Sequence, residues 1–318
     1  MMQAFYTDEF VLPLPPGHRF PMQKYKMLRD KVQRALPGVD LQVPPAASDG
    51  QLALAHCPHY IARVVDGSLS AGEQKAIGFP WSERMVERSR RSVGATVAAV
   101  RSALQHGSSV NLAGGTHHAM HSGGAGFCVF NDLVVAARVY QTDALSQGAR
   151  AGCVPKVLVV DLDVHQGDGT AQITERDPSI FTLSLHGDQN FPFTKMRSDL
   201  DVALPNGTGD EEYLKALEEA LSAVGACFTP DLMLYVAGLD VHGADRLGKL
   251  ALSDSGIQAR DHLVLDWAIS RRLPVVATMA GGYFPDLDHL TDLQCGVVER
   301  LSAYGNQLTE IDLIKTLN

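Results

Sequence analysis

The sequence predicts an α/β protein built on a parallel sheet with helices on both faces. Two observations carry that expectation. Short apolar runs alternate with longer helical patterns along the 318 residues, an order that builds parallel sheets with covered faces. Five of the apolar runs also lead directly into polar or glycine-rich residues, which gathers the unusual chemistry on one sheet edge. Hydrophobic residues make up 45% of the chain, enough for a large core, and charged residues only 20%, which excludes general disorder.

The expected strands are Leu52–Ala55, Val110–Ala113, Val157–Asp161, Ile180–Leu185, Leu232–Ala237 and Val275–Met279. The expected helices are Trp81–His106, Asn131–Thr142, Gly169–Arg176, Asp210–Gly225 and Ser255–Ser270. Asp210 reads as a helix N-cap, and Asp254 or Ser255 as the cap of the later helix. Residues 37–50 hold three prolines and a Ser-Asp-Gly turn and read as a surface loop. No repeat or low-complexity segment divides the chain.

Composition removes several function classes. The formal net charge is -9 and no Lys/Arg run occurs, so no nucleic-acid partner is expected. The five cysteines, Cys57, Cys128, Cys153, Cys227 and Cys295, are odd in number and lack Cys-x-x-Cys spacing. That argues against a disulfide framework or thiolate metal site and for a reducing compartment. No apolar run approaches the length of a membrane span. The segment from Met1 to Pro16 lacks the basic start and apolar stretch of a signal peptide, so a cytoplasmic protein is expected.

The chemistry sits after the strands. In Asp161-Leu162-Asp163-Val164-His165 the polar side chains recur every second residue, which puts all three on one face of an extended chain. Carboxylate and imidazole groups together at a strand end suit a divalent metal, and Asp240, after the apolar Leu232–Ala237 run, offers a further carboxylate. The plain alternative is a polar strand end with helix caps. Two carboxylates and one imidazole would leave a coordination position open, as a catalytic zinc requires. Such a zinc, neutralised by its aspartates, is a mild Lewis acid and needs help to deprotonate water. His117 and His118 follow a Gly-Gly turn, with His121 nearby, and Asp161 and Asp168 could orient them. Tyr283, after Ala280-Gly281-Gly282, could donate a hydrogen bond to a developing oxyanion.

These stretches together resemble the zinc-dependent histone-deacetylase family. The matching segments are Gly114-Gly115-Thr116-His117-His118, Gly126-Phe127-Cys128-Val129-Phe130-Asn131-Asp132, Asp161 to Gly169, Gly238-Leu239-Asp240 with Asp245-Arg246-Leu247-Gly248, and Gly281-Gly282-Tyr283. Residues Leu14 to Met22 and His186 to Pro192 look most like the class IV branch and its bacterial relatives. The resemblance implies the arginase/deacetylase fold over residues 1–318 as one catalytic domain, with a mostly parallel sheet of about eight strands. It implies Asp163, His165 and Asp240 as ligands of one Zn²⁺, and His117 and His118 as tandem catalytic histidines paired with Asp161 and Asp168. It implies Tyr283 as the transition-state tyrosine, Phe127 and Phe191 as channel walls, and the Gly126 carbonyl as acceptor of the substrate N–H. His18, Arg19 and Leu247 would lie near the rim. A structural K⁺ would be held by carbonyls of Asp161, Asp163, His165 and Leu185 and by Ser184.

The implied reaction is hydrolysis of N-acyl-lysine in a protein or peptide, with acetylated polyamine as the alternative substrate. An arginase-like manganese hydrolase is disfavoured by the single-metal motif and by Tyr283. A catalytically dead acyl-lysine reader is disfavoured by the complete residue set. One departure is Gln166 directly after His165, where many relatives have a second histidine; it is not a ligand position.

Overall fold

The structure, a computed structural model, describes residues 1–148 and 154–317. Cys153 lies outside the described residues; Cys57, Cys128, Cys227 and Cys295 are free thiols. In chain order the strands are β1 (Gln3–Phe5), β2 (Asp40–Gln42), β3 (Ser108–Asn111), β4 (Val157–Asp161), β5 (Ile180–Gly187), β6 (Leu200–Leu204), β7 (Leu232–Val236) and β8 (Val275–Thr278). The helices are α1 (Gln23–Ala35), α2 (Asp49–Leu52), α3 (Pro58–Asp66), α4 (Ala71–Ile77), α5 (Glu83–His106), α6 (Asp132–Ser146), α7 (Asp168–Thr174), α8 (Asp210–Cys227), α9 (Asp254–Ile269) and α10 (Leu287–Leu317).

The eight strands form one sheet in the order β2-β1-β3-β8-β7-β4-β5-β6. Every pairing is parallel, so the sheet is wholly rather than mostly parallel. Alternate residues of one strand serve opposite faces. Leu158 and Val160 of β4 join a core with residues of α1, α8, α9 and α10. Val157 and Val159 join the opposite core with α3, α5 and α6. All five residues of β4 and of β7 are buried, which is why these strands read as unbroken apolar runs.

Several expectations change. Leu52–Ala55 is not a strand. Ser48 and Gln51 form a reciprocal capping box that starts the helical turn Asp49–Leu52. Within the expected loop of residues 37–50, Asp40–Gln42 pairs with Gln3–Phe5 as an edge strand. Asp210 is not a cap: Gly209 precedes α8, and the Asp210 carboxylate accepts the Ser253 N–H and hydroxyl. Ser253 caps α9 in place of Asp254 or Ser255, accepting the Gly256 N–H at 3.1 Å. Among the described residues no helix is long and apolar enough to cross a membrane.

One buried ion cluster ties the sheet to its outer helices. Asp261 accepts hydrogen bonds from Tyr235 at 2.5 Å, from Arg260 at 2.9 and 3.0 Å, and from Arg300 at 2.6 and 3.2 Å. Arg260 also donates to the Gly238 carbonyl at 2.5 Å, two residues before Asp240. Asp261→Ala strands the buried Arg260 guanidinium and unpairs the partly exposed Arg300, and should cost about 3–5 kcal/mol, measured as a lower urea midpoint with an unchanged slope. An unshifted midpoint would show that the cluster holds nothing together.

Candidate active site

The carboxyl ends of β3, β4, β7 and β8 converge on one cavity of about 270 Å³. Asp161 ends β4, and the chain then leaves the ladder, bringing Asp163 and His165 to the cavity floor. Asp240 follows β7. His165 Nδ1 lies 2.9 Å from Asp163 Oδ1 and 3.1 Å from Asp240 Oδ2, and one donor atom from each residue lies within 4.8 Å of the others. Their outer atoms are fixed by backbone. Asp163 Oδ2 accepts the Gly281 N–H at 2.8 Å, and Asp240 Oδ1 accepts the Val164 N–H at 2.9 Å.

Two glycines are explained by space. A Cβ at Gly281 would sit 1.9 Å from Asp240 Oδ2, and one at Gly238 would sit 2.7 Å from Asp163 Oδ2. The carboxylates therefore lie flat against bare backbone. Asp240 is pushed up by burial and then by the charge of Asp163. Burial opposes ionisation of Asp163 as well, but His117 and His165 hold its pKa well below the usual range. Burial also opposes a charged His165, yet the hydrogen bonds its ring donates to both aspartates raise it to about 10. Concentrated buried negative charge converging on one imidazole is a donor set that fits a divalent cation.

The tandem histidines differ in environment. His117 Nδ1 meets Asp161 Oδ2 at 2.7 Å, and His118 Nδ1 meets Asp168 Oδ1 at 2.6 Å. The two rings lie 4.2 Å apart, so one positive charge disfavours another. Burial works against a charged His117, but Asp161 and Asp163 outweigh it and the pKa rises to about 9. Burial and then the charge of His117 hold His118 down to about 4. His121 turns away to the Ala55 carbonyl at 2.9 Å and takes no part.

Tyr283 lies on the turn after β8 and lines the cavity. Burial and the charge of Asp240 push its phenol well above the ordinary value, so it keeps its proton. Asp245 Oδ2 accepts the Tyr283 N–H at 2.5 Å, and Arg246 donates to the Tyr283 carbonyl at 2.9 Å. Lys24, from α1, donates to the carbonyls of Ala280 and Gly282 at 3.3 and 3.2 Å. Gly126, Phe127, Phe191, Leu247 and Arg19 line the same cavity, while His18 packs its ring 5.9 Å from Phe127. Phe191 stands edge-on to His118 at 4.9 Å. Gly126 has φ +53, and a Cβ there would meet His118 Cδ2 at 2.6 Å.

Behind the floor, Ser184 is register partner of Asp161, and its hydroxyl shares a 3.0 Å hydrogen bond with His186 Nδ1. Leu185 follows, fully buried. Gln166 fastens the segment before β6, donating to the Met196 carbonyl and Asp201, both at 2.7 Å.

Residues 18–299 match the Histone deacetylase domain. The chain belongs to the histone deacetylase family. An uncharacterized protein from Picosynechococcus sp. is 41% identical over 287 residues, covering 90% of this chain and 93% of its own. Histone deacetylase 2 of Arabidopsis thaliana is 32% identical over 61% of this chain and 49% of its own length. The acetoin utilization protein AcuC of Bacillus subtilis is 30% identical over 74% of this chain and 64% of its own. The crystal structure of a histone-deacetylase homologue from Aquifex aeolicus superposes with a TM-score of 0.77 at 23% identity, covering 97% of this chain and 88% of that one. The deacetylase fold is thereby shown, and the chain is a hydrolase of the histone-deacetylase type.

The tethers of the site were missed in sequence. Asp132 gathers the Gly115 and Thr116 N–H groups at 3.1 and 2.7 Å and the Thr96 hydroxyl at 2.6 Å, which fixes the turn before His117. A buried Asp after a helix-capping Asn is the signal that could have pointed to it. A second cluster, His242, Asp254 and His289, has metal-like spacing. However, His242 Nδ1 accepts the Ala244 N–H at 3.0 Å, so in the neutral ring Nε2 carries the proton and donates to Asp254. That tautomer is not ready to ligate through Nε2.

His56 also supports the site from behind. Its Nε2 accepts the Asn131 N–H at 2.8 Å and its Nδ1–H donates to the Met120 carbonyl at 3.0 Å. Burial holds its pKa at about 4. The unfolded chain protonates near pH ~6.5, so the His56 contribution is complete above that and is lost as pH falls towards about 4, by up to about 3 kcal/mol. Denaturant unfolding of wild type and His56→Gln should show a stability gap that narrows from pH ~7 to ~4.5. A constant gap would contradict a neutral buried imidazole.

Proposed function

We propose that the chain is a zinc-dependent hydrolase of the amide in N-acyl-lysine of proteins or peptides. The observation that carries this reading is the convergence of Asp163, His165 and Asp240 beside two carboxylate-held histidines and one phenol. Asp163, His165 and Asp240 would hold one Zn²⁺, which supplies Lewis-acid charge to the amide carbonyl and acidifies a water.

The protein's own groups do the remaining work. Phe127 and Phe191 wall the lysine stem, Leu247 lines the entrance, and the Gly126 carbonyl accepts the substrate amide N–H. His118, held neutral beside His117, takes a proton from the attacking water through Nε2 while Asp168 holds Nδ1. The charged His117 ring, fixed by Asp161, adds positive potential next to the developing oxyanion. Tyr283 donates its phenolic hydrogen to that oxygen. The C–N bond then breaks, and the proton on His118 passes to the leaving amine. The new C–O bond remains in the acid product.

A structural K⁺ belongs to the same proposal, with Asp161, Asp163, His165, Ser184 and Leu185 around it. Among the described residues no hydrogen bond is donated to the carbonyls of Asp163 and His165, so both have capacity for a cation. Activity should fall when potassium is replaced by a large organic cation; indifference would remove K⁺ from the account.

Chelation should abolish deacylation of an acetyl-lysine peptide, and about one equivalent of Zn²⁺ should restore it. Asp240→Ala should lose zinc, read by elemental analysis, while remaining folded by circular dichroism. Full activity in metal-free protein would overturn the reading. Tyr283→Phe should lower kcat by about 100-fold with little change in KM. His118→Ala should be more damaging than His117→Ala, since it removes the proton carrier. The reverse order would exchange the two roles. Acetylspermidine turned over faster than every acyl-lysine peptide would move the substrate to polyamines.

A further inference from the structure

At the cavity two buried cations, Arg88 and Lys24, have no carboxylate partner among the described residues. Arg88 of α5 is 7% exposed, and its Nε and Nη2 have no hydrogen-bond partner among the described residues. Lys24 is 2% exposed, and its ammonium donates to the carbonyls of Ala280 and Gly282 and lies 5.3 Å from the Tyr283 ring. Both flank one ring: Lys24 Nζ lies 5.3 Å and Arg88 Cζ 4.7 Å from the centre of Tyr25. Phe20 takes a second face of Arg88 at 5.7 Å. The fully buried Arg260, by contrast, is paired to Asp261.

An unpaired buried guanidinium is costly, and aromatic faces offset only part of that cost. Arg88, Tyr25 and Ser92 line the same cavity as His117, His118 and Tyr283. The cavity is therefore lined by the negative Asp163 and by the positive Arg88, with Lys24 on the same Tyr25 ring as Arg88. A carboxylate matches the guanidinium fork with two charge-assisted hydrogen bonds. A neutral acyl chain would leave those donors unpaired.

We propose that Arg88, with Lys24 behind it, is a carboxylate-binding subsite, and that the chain favours acyl-lysines whose acyl group ends in a carboxylate. This rests on the deacylase reading above and narrows its substrate class. Hydrolysis adds water across the amide, freeing the lysine amine and a dicarboxylic acid. The acyl carbonyl lies at the metal floor while the distal carboxylate reaches Arg88.

The test uses the full-length zinc-loaded protein and one peptide whose lysine carries succinyl, glutaryl or adipoyl, each beside its terminal-amide counterpart of equal length. Wild type should favour at least one acid over its amide by about tenfold or more in kcat/KM. Arg88→Gln should collapse that ratio, and Arg88→Lys should restore part of it. A wild-type preference for the amides, or an acid-to-amide ratio unchanged in Arg88→Gln, overturns the proposal. A second arm reads binding without turnover: free glutarate should raise the melting temperature of wild type more than that of Arg88→Gln. Equal shifts overturn the subsite. If no acyl peptide is hydrolysed, the deacylase reading fails by itself, and this melting comparison still decides whether Arg88 binds a carboxylate. Weakened inhibition by acetate in Arg88→Gln with unchanged acyl selectivity would assign the pocket to the departing acid and overturn the proposal.

Discussion

The site depends on one constraint: carboxylates buried at the ends of parallel strands must find positive charge or hydrogen-bond donors. Asp161, Asp163, Asp168 and Asp240 are each at most 3% exposed and crowd one edge of the sheet. An unpaired carboxylate there would be prohibitively expensive. The fold answers with backbone N–H groups on their outer oxygens and imidazoles on their inner ones. A divalent cation on Asp163, His165 and Asp240 would complete that compensation, which would make metal binding and site integrity two aspects of one balance.

The same crowding separates the histidines. His117 faces two aspartates, which raise its pKa, whereas burial and the neighbouring ring 4.2 Å away lower that of His118. Near-identical side chains at adjacent positions thus acquire opposite tendencies. The difference comes from which carboxylates each meets, and the strand-end geometry sets that.

The central strands were legible because parallel strands buried on both faces leave unbroken apolar runs; Val157–Asp161 matches β4 at both ends. The edges were not. Gln3–Phe5 and Asp40–Gln42 are three residues each and carry no periodicity to detect, and the short apolar run Leu52–Ala55 is made of the helix formers Leu and Ala and follows a capping box. The site's reactive groups were visible because polar residues directly after apolar strands are conspicuous. Their tethers were not. Lys24 lies 256 residues from Ala280, whose carbonyl it holds, and Asp132 lies 36 from Thr96. Contacts of that range leave no local pattern. In sequence Arg88 is one of several basic residues on a helix; its burial sets it apart from Arg90 and Arg91, which pair with Asp49 and Glu87.

The central claim is that Asp163, His165 and Asp240 bind one divalent metal. X-ray absorption on the zinc-loaded protein measures this most directly. The account predicts about one zinc per chain, with a single imidazole and oxygen donors at about 2.0–2.2 Å. A sulfur neighbour, or two or more imidazoles, would contradict it and move the metal away from these three residues.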